Sequence, residues 1–490
     1  MLPEEFTAFV KEKGFIYPSS DIYGGLAGFY DYGHNGTKLK RKFEDAWRKF
    51  FLSLNDNFFE IETANIMHKN VFKASGHLEN FTDPIIRCSK CSFFSRADHY
   101  LEEHTGDRSE DLDLEGFDAA IKEHNLKCPK CGGEFKPAQD LNLMFPVNDN
   151  AYLRPETAQS PFVNFKLQYQ LLREKMPMGL GLIGRAYRNE ISPRNLTIRQ
   201  REFTQAELQI FFNPRLIDEH EDFDNVKHIE LSIMRADKRD QGIQKITAEA
   251  LMEEGLPKFY TYHLAKIQQF YMNVLKLPAE KFRLYELVGK EKAFYNKYHF
   301  DLEADIEGLG WVEIGGLHYR TDHDLKGHQD VSKQKMEINV DGEKFIPHVL
   351  EVSMGVDRNV YALLDLHTRD DERGNKVLAL PTKLAPTQLA LFPLVNKVHE
   401  KAREIYDSIK DDFDIKYDKS GSVGRRYARS DEEGTPFCIT VDFEDGVTIR
   451  SRDTTEQVRL NGNLHESLRK ILAGAKLLDV GSKIEANNNA

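Results

Sequence analysis

Between Thr37 and Leu52 the apolar residues Leu39, Phe43, Trp47 and Phe51 recur every four residues, and this spacing predicts an amphipathic helix. Phe58 to Met67 alternates between apolar and polar positions and predicts a strand. Met178 to Arg188 and Glu202 to Phe212 predict two antiparallel strands joined by a polar loop. Gly308 to Leu317 and His348 to Val352 predict further strands. After Gly355, the residues Val356, Val360, Leu363 and Leu364 share one helical face. Residues 213–300 are rich in charge and predict a helical insertion.

Leu380-Pro381-Thr382-Lys383-Leu384-Ala385-Pro386 breaks the pattern and predicts a linker. Beyond it come a strand (Gln388 to Phe392) and a helix carrying Leu394, Val395, Val398, Ala402, Ile405 and Ile409. Strands follow around Ile415, Phe437 to Val441 and Val447 to Arg450, then a helix from about Asn463 to Leu478. Such alternation predicts a compact α/β domain of ~100 residues. The expected division is therefore 1–380, with insertions at 86–140 and 213–300, then 385–478, then a tail over 479–490 whose end, Glu485 to Ala490, reads as disordered.

Composition narrows the class. With 40% hydrophobic, 30% charged and 11% aromatic residues, the chain reads as an ordinary soluble globular protein. No apolar run is long enough to span a bilayer, and the start, Met-Leu-Pro-Glu-Glu-Phe, lacks the regions of a signal peptide. A cytoplasmic location and no membrane partner are the expectation. The net charge of −12 weighs mildly against a nucleic-acid partner, which local basic patches can still serve.

Four of the five cysteines form two CxxC pairs, Cys88/Cys91 and Cys128/Cys131, separated by 36 residues. This spacing predicts a closed, structural four-thiolate zinc site rather than a disulfide scaffold. An acidic helical excursion, with Glu102 to Glu115 at its centre, is expected between the two knuckles. Cys438, in an apolar strand, reads as a core residue.

Two arginine-bearing segments propose a chemistry. The first is Gly184-Arg185-Ala186-Tyr187-Arg188-Asn189-Glu190 followed by Arg199-Gln200-Arg201-Glu202-Phe203; the second is Gly355-Val356-Asp357-Arg358. A planar guanidinium at Arg188 suits both an α-phosphate and a carboxylate. Glu190 suits the adenine amino group, Phe203 an adenine ring, Arg358 a γ-phosphate, and Glu313 a magnesium ion bridging phosphates. These segments resemble motifs 2 and 3 of class II aminoacyl-tRNA synthetases.

The resemblance extends from about Gly14 to Leu460 and is narrower than the class. Tyr23 to Gly33, Ser75-Gly76-His77, Phe81-Thr82-Asp83, Arg96-Ala97-Asp98-His99, Arg154-Pro155-Glu156-Thr157-Ala158-Gln159, Glu351 to Arg358 and Val423-Gly424-Arg425-Arg426-Tyr427 resemble the single-chain dimeric glycyl-tRNA synthetases. One departure is His34-Asn35-Gly36, where that family usually has Pro-Leu-Gly.

The resemblance implies an α+β fold: an antiparallel catalytic sheet of six or seven strands, plus a C-terminal α/β anticodon-binding domain. It implies a homodimer through a motif 1 region at roughly Phe58 to Met67, and as partners glycine, ATP with magnesium, and tRNA(Gly). It assigns glycine to Arg96, Glu156, the run Phe203, Thr204, Gln205, Ala206, Glu207, and the run Glu351, Val352, Ser353, Met354, Gly355. It assigns ATP to Arg188, Asn189, Glu190, Ile198, Arg199, Gln200, Arg201, Glu202, Phe203, Glu313, Ile314, Gly355, Val356, Asp357 and Arg358, with Arg188 and Arg358 catalytic. Arg320 matches another charged position near the substrates.

Glycine offers no side chain to grip, so a selective site must hold its ammonium with acidic groups and leave no room beyond the α-carbon. Glu156, Glu207 and Glu351 answer that need. In the C-terminal domain, Lys416, Lys419, Arg425, Arg426 and Arg429 around Gly421 and Gly424 suit a phosphate or loop-RNA contact. A catalytically silent nucleic-acid binder of the same fold is the rival reading; it is disfavoured because the arginines and pocket acids are present. A synthetase for another small amino acid, such as serine, proline or threonine, is a third reading; the glycine-type segments argue against it, with the acidic pocket as the physical reason.

Overall fold

Nine strands form one sheet that organises residues 58–355. They are β1 (Phe58–Glu60), β2 (Met178–Tyr187), β3 (Glu202–Phe212), β4 (Glu230–Met234), β5 (Gln244–Thr247), β6 (Phe282–Glu286), β7 (His299–Ile306), β8 (Gly310–Thr321) and β9 (His348–Gly355). Their order is β5-β4-β6-β7-β8-β9-β3-β2-β1, antiparallel except where β1 meets β2 and β4 meets β6. The computed structural model describes residues 1–106, 112–293, 296–460 and 462–484.

One sheet face is buried under three helices: α1 (His34–Phe51), α2 (Lys258–Gln269) and α3 (Val356–Leu366). Leu39, Phe43, Trp47 and Phe51 of α1 are fully buried and join Ala206, Leu208, Val352 and Met354 of the strands in a single core. Val360, Leu363 and Leu364 of α3 complete it. The other face is apolar only at one end, where Phe162 and Phe165 cover Phe211, Leu180 and Val349. Its remainder carries Gln205, Glu207, Gln209, Glu351 and Ser353, because strand alternation sends every second residue there.

The sheet exceeds the expected six or seven strands. The extra ones come from residues 213–300, which form β4, β5, β6 and the start of β7 as well as α2, so this region is not a helical insertion. Its strands are four to eight residues long and their alternation is short beside the charged loops, so helical charge patterning dominated the sequence signal. Phe58 to Met67 is likewise not one strand. Phe58–Glu60 joins the large sheet, whereas Ile66–His68 pairs with Ala151–Leu153 in a separate small sheet.

The cysteine-bearing region contains a three-stranded sheet (Thr82–Arg87, Phe94–Arg96, Gln139–Asn142) and the helices Ala97–Thr105 and Leu114–Glu123. The expected acidic excursion falls partly outside the described residues, at 107–111.

The C-terminal sheet contains β10 (Leu389–Pro393), β11 (Ile415–Tyr417), β12 (Phe437–Val441), β13 (Val447–Ser451), β14 (Gln457–Leu460) and β15 (Ser482–Lys483), in the order β11-β10-β12-β13-β14-β15. Helices α4 (His399–Ile409), α5 (Val423–Glu432) and α6 (Leu464–Leu472) accompany it. Helix α6 stops short of Leu478 because Gly474, at φ +105°, lets the chain leave the helix. The chain then returns to pair β15 with β14, so residues 482–483 belong to the sheet. Glu485 to Ala490 lie outside the described residues.

The expected linker is a packed joint. Leu380, Leu384 and Ala385 are buried, and Arg452 donates to the Leu380 carbonyl at 2.7 Å. Lys42 of α1 reaches both Asp414 and the Ala385 carbonyl, each at 2.6 Å. The segment that breaks the sequence pattern is thus anchored by its own buried apolar residues.

Candidate active site and metal centre

A cleft opens on the polar sheet face where β3, β8 and β9 meet α3. It is lined by Arg188, Glu190, Ile198, Arg199, Gln200 and Phe203 from the β2–β3 hairpin, and by Thr204 and Gln205 of β3. Glu313, Ile314, Ser353, Gly355, Asp357 and Arg358 close the opposite wall, and Thr197 and Gly315, not anticipated from sequence, complete it. Asn195 and Leu196, both at positive φ, shape the hairpin loop that presents Thr197 and Ile198.

Arg188 is held ready for a ligand. Its Nε donates to the Pro155 carbonyl at 2.9 Å, and its guanidinium lies 5.2 Å from the Phe203 ring and 5.4 Å from the Phe81 ring. Glu190 is buried and receives Arg199 Nε at 2.8 Å. Arg358 donates from Nε to the Ile198 carbonyl at 2.9 Å, and from Nη1 to the Glu313 main chain at 2.9 Å and carboxylate at 3.1 Å.

Glu313 reaches this wall because of a β-bulge. The β7–β8 register shifts between Leu302 and Glu303, so Leu302 opposes Gly315 while Glu303 opposes Glu313. Without the extra residue, simple alternation from Gly316 would turn Glu313 into the core. Asp301, on the same face of β7, has its pKa raised by burial and by the charge of Glu313.

Deeper on this face sits an acidic cluster. Cross-strand register puts Glu207 opposite Ser353 and Gln209 opposite Glu351, and sets His318 opposite Glu351. Ser353 Oγ donates to Glu207 at 3.1 Å, and Gln209 Nε2 donates to Glu351 at 2.6 Å and to Glu207 at 3.4 Å. Arg320 forks onto Asp324 at 2.8 and 2.9 Å and reaches Glu351 at 3.1 Å and Glu156 at 3.9 Å. Gln159 bridges Glu156 and Asp324 at 2.9 and 3.1 Å.

These carboxyls titrate apart. Burial, and then the charges of Glu351 and Glu156, push Glu207 up to about 8. Burial also raises Glu351, against the pull of Arg320. Burial acts on Glu156 in the same direction, but His77, 3.6 Å away, and Arg320 outweigh it and hold that carboxyl well below the usual range. The cluster thus holds one firmly ionised carboxylate beside one that keeps its proton, an arrangement suited to receiving a cation.

Several residues expected to contact substrates serve elsewhere. The side chains of Ala206, Val352, Met354 and Val356 lie in the core on the opposite face, so only their main chain is available to the cleft. Asp357 is a structural tie, accepting from Tyr32 at 2.6 Å, Lys40 at 3.1 Å and the Thr204 amide at 2.5 Å. Arg201 staples the N-terminal glycine-rich segment through the Ala27 carbonyl at 3.2 Å while donating to the Glu190 carbonyl at 2.9 Å. Glu202 pairs with Arg185 at 3.4 Å, and the Asn189 amide is bound to Leu143 at 2.7 Å. Arg96 does not line the cleft wall; Asp83 and Asp98 clamp it at 3.1 and 2.5 Å.

In the C-terminal module, Arg426 is buried and spent on the Gly421 and Pro393 carbonyls, while Lys416 pairs with Glu433 and Arg429 with Asp418. Lys419 and Arg425 remain exposed.

Cys88, Cys91, Cys128 and Cys131 converge, with all four sulfurs within 4.8 Å of one another. The Cys88–Cys131 and Cys91–Cys128 separations are 3.4 and 3.6 Å. Metal–sulfur bonds of about 2.3 Å in a tetrahedron require sulfurs on the order of 3.8 Å apart, so the four thiols fit a metal site. The Lys90 amide donates to Cys88 Sγ at 3.3 Å, as a knuckle requires. Cys438 is buried in β12, apart from this group.

The fold recurs among known proteins. Over 96% of this chain and 74% of the other, the fold matches prolyl-tRNA synthetase from Cryptosporidium parvum complexed with L-proline and AMP, with a TM-score of 0.57 at 12% identity. The chain therefore has the class II aminoacyl-tRNA synthetase fold, and residues 388–470 match the anticodon binding domain model. Sequence comparison is narrower. Glycine–tRNA ligase of Pyrococcus abyssi is 38% identical over 95% of this chain and 98% of its own length, and that of Pyrococcus furiosus is 39% identical over 94% and 97%. The Aeropyrum pernix glycine–tRNA ligase is 35% identical over 98% and 99%. This chain belongs to the glycine–tRNA ligase family.

The raised Glu207 pKa has a signed consequence. An unfolded glutamate releases its proton near about 4.3, whereas folded Glu207 keeps it up to about 8, so the wild type loses stability as pH rises between these values. Glu207→Gln has no such proton. Its thermal midpoint relative to wild type should move upward between about pH 5 and about pH 9. A pH-independent difference between the two melting curves would show that Glu207 is ionised throughout.

Proposed function

We propose that the cleft divides its work between an arginine-lined ATP half and an acidic glycine half. As a glycine–tRNA ligase, the protein activates glycine with ATP and joins it to tRNA(Gly). The observation that carries the residue assignment is the group of buried Glu207 and Glu351 with partly buried Glu156, on the face of the sheet whose cleft Arg188 lines from its hold on the Pro155 carbonyl. It is a receptor for an ammonium next to a receptor for a carboxylate and a phosphate.

In this reading the glycine ammonium lies among Glu207, Glu351 and Glu156, with Ser353 and Gln209 fixing the carboxylates. Binding the cation favours the ionised form of Glu207, so glycine binding releases a proton. Arg188 bridges the glycine carboxylate and the α-phosphate, Phe203 stacks on adenine, and Glu190 accepts from its amino group. A carboxylate oxygen attacks the α-phosphorus, and the bond to pyrophosphate breaks. Arg358 neutralises the departing phosphates. In the second step the terminal ribose hydroxyl of the tRNA attacks the carbonyl carbon and AMP leaves.

Glu313 and Asp301 offer hard oxygen donors, so this wall fits magnesium. Bound there with ATP, magnesium would supply charge neutralisation across the phosphates. The four cysteines fit structural zinc, since four thiolates leave no coordination position open. Thiolate ligands suit a reducing cytoplasm, the compartment we assign. The exposed Lys419 and Arg425, on and beside the first turn of α5, are the cations offered to tRNA in the C-terminal module.

A homodimer is the proposed assembly. Among the described residues, strand β1 ends the sheet with one edge unpaired, and beside it runs a groove of about 820 Å³ lined by Phe59, Leu171, Leu216 and Phe345. Phe59, Leu171 and Leu216 are exposed in the single chain. Apolar exposure beside an open edge is what an interface covers.

Three measurements test this reading. ATP–pyrophosphate exchange across the amino acids should respond to glycine alone, and Glu207→Ala or Arg188→Ala should lower glycine kcat/KM by about 10²-fold or more; glycine kinetics unchanged in both variants would dismiss the pocket assignment. Metal analysis should find one zinc per chain, and Cys131→Ser should lose it; a zinc-free, fully active protein excludes the site. Sedimentation should give a dimer that Leu171→Asp converts to a monomer, and a monomeric wild type would dismiss the interface.

A further inference from the structure

The polar sheet face has a gap that one side chain fills. On β8, Gly316 lies opposite Ser353 of β9 on one side and opposite Asp301 of β7 on the other. It is thus the floor position next to the Ser353–Glu207 pair. A Cβ built on Gly316 would meet three atoms of the His318 ring, at 2.5, 2.9 and 3.4 Å. The imidazole of His318 therefore folds back along its own strand and roofs the space that a side chain at 316 would take.

The ring is held firmly in that position. Asn296 Nδ2 faces His318 Nδ1 at 3.3 Å and His299 Nδ1 at 3.5 Å. An amide nitrogen only donates, so Nδ1 accepts and the proton sits on Nε2. That nitrogen points toward Glu351, 3.7 Å from its carboxylate. The His299 ring lies against it with centroids 4.1 Å apart, and His299 Nε2 lies 2.9 Å from the Asp301 carboxylate. Burial, with His299 and Arg320 adding to it, keeps His318 neutral.

We propose that His318 is the residue that excludes any amino acid larger than glycine, its ring walling the space beyond the α-carbon over Gly316. The inference rests on the glycine-site reading above and adds to it the selectivity device. The acidic cluster recognises an ammonium, which every amino acid carries, and so cannot discriminate by itself. Exclusion needs volume, and the strand floor at 316 supplies none of its own. The histidine supplies it from two residues away. It is fixed by an asparagine and a second histidine, so a substrate methyl cannot displace it cheaply.

The test is ATP–pyrophosphate exchange with glycine and with L-alanine, on full-length dimeric or monomeric protein as purified. A pocket that differs by one methyl group discriminates by on the order of 10–200-fold. His318→Ala is expected to raise the alanine-to-glycine ratio of kcat/KM by a factor in that range, chiefly through a gain with alanine. Adding Gly316→Ala to His318→Ala puts a methyl back into the vacated space and is expected to return the ratio toward wild type. His318→Asn, which is smaller but able to keep its bond to Asn296, serves if His318→Ala melts early; its ratio should rise too. An unchanged ratio in the folded variants, an equal fall with both amino acids, or a double variant identical to the single one overturns the proposal. Failure of the underlying site reading looks different: the wild type itself would give no glycine exchange, or Glu207→Ala would leave glycine kinetics untouched.

Discussion

Eight backbone pairs between β3 and β9, from Gln205–Gly355 to Phe212–His348, carry the chemistry of this molecule. They bring together two segments more than a hundred residues apart in sequence. Because side chains alternate across a strand, one register decides everything at once. Glu207, Gln209, Glu351 and Ser353 face the cleft, while Ala206, Leu208, Val352 and Met354 face the core. A slip of β9 by one residue would turn Glu351 and Ser353 into the core and expose Val352 and Met354, so burial of the core enforces the geometry of the site.

Holding three glutamates together in a buried place is costly, since each charge raises the others' pKa. The surroundings divide the problem rather than cancel it. Arg320 is buried and fixed by a two-pronged contact with Asp324, and from there it reaches Glu351 and Glu156. Gln209 supplies a neutral donor between Glu207 and Glu351. Glu207 is left as the carboxyl that keeps its proton. Asp357 performs a different service at the start of α3, tying the N-terminal segment, α1 and β3 to the helix turn that carries Arg358.

Motif-bearing positions were legible from the chain because each combines an unusual residue with a strong local pattern. Arg188, Phe203, Glu207, Glu351 and Arg358 all fall on or next to long strands or a helix with clear alternation, and all sit where that alternation puts them. The cysteine knuckles were legible from spacing alone. Reading whole runs as contacts failed, since neighbouring strand residues face opposite ways; Val352 and Met354 are the clear cases. The strands within 213–300 were hidden because pairing, not propensity, makes four- and five-residue strands. Gln209, Asp324 and His318 carried no signal, because their roles depend on partners that only the folded sheet brings near. The bulge that turns Glu313 toward the cleft is equally invisible in a single sequence.

The central place of β9 sets a condition on how the chain can be made. It is the last of the nine strands in sequence, yet it lies between β8 and β3 in the middle of the sheet. A ribosome delivers β3 first, and the 135 residues separating Phe212 from His348 take roughly 7–27 s to follow at about 5–20 residues per second. During that interval the inner edge of β3, with Ile210 and Phe211 along it, has no partner, and once β8 has emerged its edge, with Leu317 and Tyr319, waits as well. The nascent chain therefore carries open sheet edges until its final central strand emerges, and such edges are templates for pairing with neighbouring chains.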